Sequence, residues 1–193
     1  MEPTVIYDFD PRNLPQDTLA AIGLVVTTSA TLEYTIEQGI AGCLGVDFEY
    51  GAAVTTHMAV PLRDSVLRSV AEIKINDLDD LDELDDLLEE AKNAFDKRNA
   101  IVHGEWCIHP ITNKVFTVKE TARTRYEADL VPMRVNEIKG DAAFIYRVGL
   151  TLYDFFSRRG LIPPIPSHPR PRHHKSKAAR KKRRETKLKG TSA

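Results

Sequence analysis

From Leu19 to Leu44 the apolar residues Leu19, Ile22, Val25, Val26, Leu32, Ile36, Ile40 and Leu44 recur at steps of three and four. That spacing gathers them on one side of an α-helix, whereas a strand would scatter them over both faces. The pattern predicts a helix from about Pro15 to Leu44, with Asp17 or a neighbour as its N-cap and Gly42 and Gly45 as stop signals. At roughly 100° per residue, Glu33 falls near the centre of this apolar stripe with Ser29 beside it. A carboxylate in that place needs a partner.

Two further segments carry the same periodicity. Residues Asp77 to Glu90 include nine Asp/Glu, yet Leu81, Leu84 and Leu88 keep helical spacing and the stripe continues through Ala91, Phe95 and Val102. The acidic residues crowd the N-terminal half while Lys92, Lys97 and Arg98 follow, which matches the sign of the helix dipole. Arg98 stands where the stripe calls for an apolar residue, so it interrupts the seam. A third long helix is expected over about Arg134 to Arg159, with Ile138, Ala142, Ile145, Gly149, Leu152 and Phe156 on one face and Val148 and Phe155 widening it. Residues 46–59, containing Gly51 and mixed polarity, read as a connection. Pro61 then opens a shorter helix through Leu62, Val66, Val70 and Ile73.

Gly104 ends the second long helix, and the period changes. Trp106-Cys107-Ile108 and Val115-Phe116-Thr117-Val118, separated by Pro110 to Lys114, read as a β-hairpin, and Arg125 to Leu130 can add another extended piece. The expected architecture is therefore mainly α: an up-down helical bundle with a small β-hairpin, about 105–130, inserted before the last long helix. Residues 1–159 form this domain. Beyond Gly160, five prolines between Pro163 and Pro171 precede a lysine- and arginine-rich block, the composition of a segment that does not pack.

The net charge of −1 conceals this division. Residues 158–193 hold 13 Lys/Arg against 1 Asp/Glu, leaving 14 basic and 27 acidic residues for the body. A tail of +12 on a body of −13 points to an anionic partner, and nucleic acid is the commonest. The candidate phosphate contacts are Lys175, Lys177, Arg180, Lys181, Lys182, Arg183, Arg184, Lys187 and Lys189. Folding back onto the acidic body is the alternative use of the same charge. Cys43 and Cys107 are too few for a disulfide framework or a zinc site. No signal sequence opens the chain and no apolar run reaches a span, so a reducing, cytoplasmic setting without a membrane is expected. His109, His168, His173 and His174 have no carboxylate or cysteine spaced with them, and neither a metal nor another cofactor is called for.

Chemistry concentrates in Lys97-Arg98-Asn99-Ala100-Ile101-Val102-His103-Gly104. A histidine exchanges protons near neutrality, and a guanidinium matches phosphate oxygens in a fork. On a regular helix Asn99 and His103 lie about 40° apart, but Arg98 and His103 about 140°. The reach of the arginine, a distorted last turn, or a second copy across a two-fold axis can close that gap. Each residue also has a plainer use: Arg98 as the ion partner of Glu33, His103 as a helix C-terminal cation, Asn99 as a surface residue. Trp106 can stack on a base or pack the hairpin on the bundle.

Arg98, a polar Asn99, and His103 at the end of an acidic-to-basic helix resemble the R-x4-6-H motif of the HEPN superfamily. The opening helix, from Gly23 through Leu32-Glu33-Tyr34 to Ile40, is similar to the first helix of bacterial HEPN-like proteins. The resemblance covers about residues 15–158. It implies a bundle of HEPN type and a homodimer whose facing motif helices line a metal-independent ribonuclease site, with RNA as substrate. In that chemistry the 2′-hydroxyl attacks the neighbouring phosphate, giving a cyclic phosphate and a free 5′-hydroxyl. By the same resemblance His103 is the general acid or base, Arg98 stabilises the charged transition state, Asn99 orients His103 or a phosphate oxygen, and Glu33 supports Arg98. A toxin or phage-defence setting, with a neutralising antitoxin as partner, is implied by the family alone. The alternative is a non-catalytic HEPN-like dimer that binds nucleic acid or a protein partner through its basic tail.

Overall fold

The computed structural model describes residues 6–121 and 127–163. The basic positions from Lys175 to Lys189 lie outside the described residues, as do His168, His173 and His174. Five helices and three strands follow in the order α1 (Gln16–Leu44), α2 (Phe48–Thr55), α3 (Val60–Lys74), α4 (Leu78–Val102), β1 (Glu105–Ile108), β2 (Val115–Thr121), β3 (Glu127–Pro132) and α5 (Val135–Arg158). The fold is mainly helical, with one small antiparallel sheet ordered β1-β2-β3.

Residue pairings fix the helix directions. Gly149 faces Leu32 and Gly39 faces Phe156, so α1 and α5 advance together and run parallel. Lys97 pairs with Asp141 and Arg158 with Glu83, which sets α4 antiparallel to α5. The core between them is made of fully buried Leu32, Ile40, Leu84, Leu88, Ile138, Ile145, Leu152, Phe155 and Phe156. Burying each such side chain contributes about 1.5 to 3 kcal/mol. All eight apolar positions expected on α5 are buried, because that helix is covered by both α1 and α4.

The ends of the elements have local causes. The helix α1 begins after Pro15 without a side-chain cap; Asp17 instead accepts from the Thr18 N–H, so the expected Asp17 cap is not made. Gly45 closes the helix in the left-handed region at φ 66°. Gly42 continues the helix, and its missing side chain lets Leu161 approach: a Cβ there would lie 1.6 Å from the Leu161 carbonyl oxygen. Leu161 is a core residue, 5% exposed, so packing continues past Gly160. On α4 the Asp77 carboxylate accepts from the Asp79 N–H and caps the acidic end.

Several expectations need correction. Residues 46–59 include the short helix α2, whose buried residues are Gly51 and Thr55; two small residues one turn apart give no apolar signal. The buried face of α3 is Arg63, Leu67 and Ala71, while Leu62 and Ile73 are exposed. Of the expected face only Val66 and Val70 pack on the core, because the inward side is centred on Leu67 and includes a charged residue that an apolar pattern does not count. The expected hairpin is present as β1 and β2, and the further extended piece expected at Arg125 to Leu130 is β3, which pairs along β2 from Phe116↔Pro132 to Thr121↔Glu127. Finally, α1 is long and apolar enough by composition to cross a membrane, with a mean hydropathy of 1.4 over its best window. Here it packs against α2, α3, α4 and α5, which bury one side of it.

Candidate active site

The helix α4 ends in a residue that leaves helical geometry. His103 is the C-cap at φ −104°, ψ −2°, and its N–H donates to the Asn99 carbonyl at 3.0 Å. That is an ordinary i to i−4 helical bond, and the tip of the long Arg98 side chain closes the gap to position 103. The Arg98 Nη1 donates to Asn99 Oδ1 at 2.9 Å and lies 3.0 Å from His103 Nε2. A single chain therefore brings all three side chains together, and a second copy is not needed to align them. Asn99 and His103 are exposed and Arg98 is half-buried, so the cluster opens to solvent.

The contact also assigns a tautomer. A guanidinium offers only donors, so Nε2 of His103 must accept, and the ring proton sits on Nδ1 in this arrangement. A proton on Nε2 and the Arg98 contact exclude each other. A phosphate oxygen entering between the two groups would take a donor from Arg98 and release the Nε2 lone pair.

Glu33 does not pair with Arg98. Its Oε2 accepts from Arg63 Nη1 at 3.1 Å, and the same nitrogen lies 3.1 Å from Glu37 Oε1. Arg63 is 8% exposed and also donates through Nε to the Thr55 carbonyl, tying α3 to α1 and α2. No motif marks Arg63 in the sequence, although its spacing of four and eight residues from Leu67 and Ala71 is that of a buried face. Glu33 and Arg98 still line one depression of about 300 Å³ together with Ser29 and Tyr34. The Arg98 Nε is buried without a hydrogen-bond partner among the described residues.

On the other flank of the cluster, a cavity of about 500 Å³ separates the end of α4 from the sheet. Asn99, Ala100 and His103 form one wall, and Thr117, Lys119, Val131 and Met133 the other. Gly104 permits this closeness: a Cβ would lie 2.4 Å from Thr117 Oγ1 and 2.6 Å from the Ala100 carbonyl oxygen. Trp106 holds the arrangement, its half-buried indole donating to the Ile101 carbonyl at 3.0 Å, which places it in packing the sheet on the bundle. Thr117, Lys119, Val131 and Met133 carry no motif, because only the strand register brings them opposite His103.

Other reactive groups are set aside by their surroundings. Burial pushes the Cys43 thiol up to about 11, and Cys107 is raised by burial and then by the Glu105 charge. Neither is a thiolate at neutral pH. The His109 Nδ1 accepts from the Ile111 and Thr112 N–H groups, which fixes the turn between β1 and β2.

No protein-family model, curated protein or solved structure matches this chain.

Proposed function

We propose that the protein is a metal-independent endoribonuclease of HEPN type, with Arg98, Asn99 and His103 as its catalytic group. The observation carrying this reading is the 3.0 Å approach of Arg98 Nη1 to His103 Nε2 on an exposed helix end. A permanent cation and a proton-exchanging imidazole within one phosphate's width are what transesterification of RNA requires. In that step the 2′-oxygen bonds to phosphorus and loses its proton to an imidazole. The P–O5′ bond breaks, and the departing oxygen takes a proton. Arg98 neutralises the charge that develops on the non-bridging oxygens.

One imidazole cannot be base and acid in the same step, so a second His103, from another copy of the chain, completes the proton transfers. A homodimer is therefore part of the proposal, and the surface of α1 beside Arg98 suits it. Val26 and Tyr34 are exposed there, 45% and 44%, and both border the depression that holds Arg98. Glu33 contributes by anchoring Arg63 and α3 behind that surface. RNA as partner of the basic tail, a cytoplasmic setting, and a toxin or defence role with an antitoxin belong to the same reading.

The test is cleavage of labelled single-stranded RNA in the presence of a chelator. Wild-type protein should yield fragments ending in cyclic phosphate, and His103→Ala should yield none. Equal cleavage by the two proteins would overturn the assignment of His103.

A further inference from the structure

We infer that the cavity between the end of α4 and the sheet is a nucleoside pocket, which seats the nucleoside next to the phosphate held at Arg98 and His103. The inference rests on the ribonuclease reading for its substrate class, but its geometry is independent of any cleavage.

Three features support it. The cavity adjoins the catalytic cluster directly, since Asn99 and His103 belong to both. Its volume of about 500 Å³ falls within the range, about 300 to 1,000 Å³, of pockets that enclose small ligands. Its walls combine the apolar surfaces of Ala100, Val131 and Met133 with the polar residues Asn99, Glu105, Thr117 and Lys119. Apolar walls with few polar groups suit a flat heterocycle with hydrogen-bonding edges.

Thr117 gives the independent sign of a missing ligand. It is 9% exposed, and its Oγ1 is buried with no hydrogen-bond partner among the described residues. An orphaned buried hydroxyl is costly; this one lies against Gly104, and both residues line the cavity, so a ligand seated there would supply its partner after a small local shift. The absence of a Cβ on Gly104 lets Thr117 of β2 close against the end of α4 at the floor of the pocket. Thr117 and Lys119 lie on the same face of β2, two residues apart, and Val131 is the β3 partner of Thr117. The sheet thus presents one wall to a ligand whose phosphate lies at His103.

Binding is measured by amide chemical shifts for the four nucleoside 3′-monophosphates and for inorganic phosphate. At least one nucleotide should bind about tenfold more tightly than phosphate, with shifts at Thr117, Lys119, Val131 and Met133. Val131→Phe, which projects a ring into the cavity, should remove that advantage while phosphate binding stays within about twofold. Thr117→Val keeps the shape and removes the hydroxyl, and should cost the nucleotide about threefold to tenfold. Should Val131→Phe not fold, Thr117→Val alone decides, and unchanged nucleotide binding there overturns the proposal. Nucleotides no tighter than phosphate, or shifts confined to residues outside the cavity, also overturn it. Nucleotide binding at the cavity without His103-dependent RNA cleavage would remove the nuclease reading and leave the pocket standing.

Discussion

Glu33 accepts a hydrogen bond from Arg63 across α1 and α3 at 3.1 Å, and this pair, not Glu33 with Arg98, resolves the charge in the apolar stripe of α1. Arg63 is nearly closed to water, while Glu33 retains 30% side-chain exposure and Glu37 16%. Breaking a buried ion pair costs about 3 to 5 kcal/mol. Because the carboxylates reach solvent, Arg63→Met should cost near the lower end, about 3 kcal/mol, in urea denaturation. In double-mutant cycles Glu33 should couple to Arg63, and Glu33 with Arg98 should be additive within about 0.5 kcal/mol. Coupling in the second cycle and none in the first would reverse the assignment.

A second prediction concerns the imidazole. Nitrogen-15 spectra of the neutral His103 imidazole in the wild type should show the proton on Nδ1, because Arg98 occupies Nε2. Arg98→Ala releases that nitrogen and should let the Nε2–H form appear. Arg98→Lys keeps a charge but loses the planar fork that reaches Asn99 and His103 together. It should lower RNA cleavage on the order of a hundredfold, the scale for losing one preorganised donor to a developing oxyanion. Identical spectra for wild type and Arg98→Ala would show that the 3.0 Å contact does not persist in solution.

The helices are legible in the sequence and the relation between them is not. On α5 a wide stripe of large apolar residues is covered from two sides, so periodicity names its face. On α3 the same reasoning finds Val66 and Val70 at the edge of the core but misses its centre, since the buried face carries the charged Arg63 with Leu67 and Ala71. The helix α2 is invisible because its inward side is Gly51 and Thr55. Of the candidate site, the Arg98-Asn99-His103 group can be read because its members are neighbours in the chain. The reach of Arg98 to His103 and the sheet wall opposite depend on a side-chain rotamer and a strand register, neither of which residue spacing encodes.

A third prediction follows from the far end of α4. Arg159 donates to the Asp80 carboxylate and Arg158 and Arg159 to that of Glu83. The Arg159 hydrogen bond holds Asp80 below the usual carboxylate range, and those from Arg158 and then Arg159 do the same for Glu83. A carboxyl whose folded value is depressed contributes stability that is complete above its unfolded value, about 4. That contribution disappears as the pH falls through the depressed folded values. Melting temperature should therefore hold from neutral pH to about 5 and then decline. In Arg159→Gln the acid decline should be shallower, because less of the depression remains to be lost. An equally steep decline in Arg159→Gln would place the acid sensitivity elsewhere.

The last prediction separates the body from its basic extension. Leu161 is 5% exposed and belongs to the core, and Pro163 is buried as well, so the packed unit ends later than the composition change at Gly160 suggests. Truncation after Pro163 removes 11 of the chain's 27 Lys/Arg without touching a core residue that the structure describes. The melting temperature should stay within a degree or two, about what a surface change produces. RNA affinity should fall, and its dependence on salt should flatten, since each phosphate that is no longer neutralised takes about 0.7 off the slope for a single strand. Truncation after Gly160 should behave differently, because it also deletes Leu161, worth about 1.5 to 3 kcal/mol of burial. Melts and titrations at two salt concentrations, on both truncations, make the comparison. A large loss of melting temperature after Pro163 would mean that residues beyond it stabilise the body, and an unchanged salt slope would mean that the body alone binds the RNA phosphates.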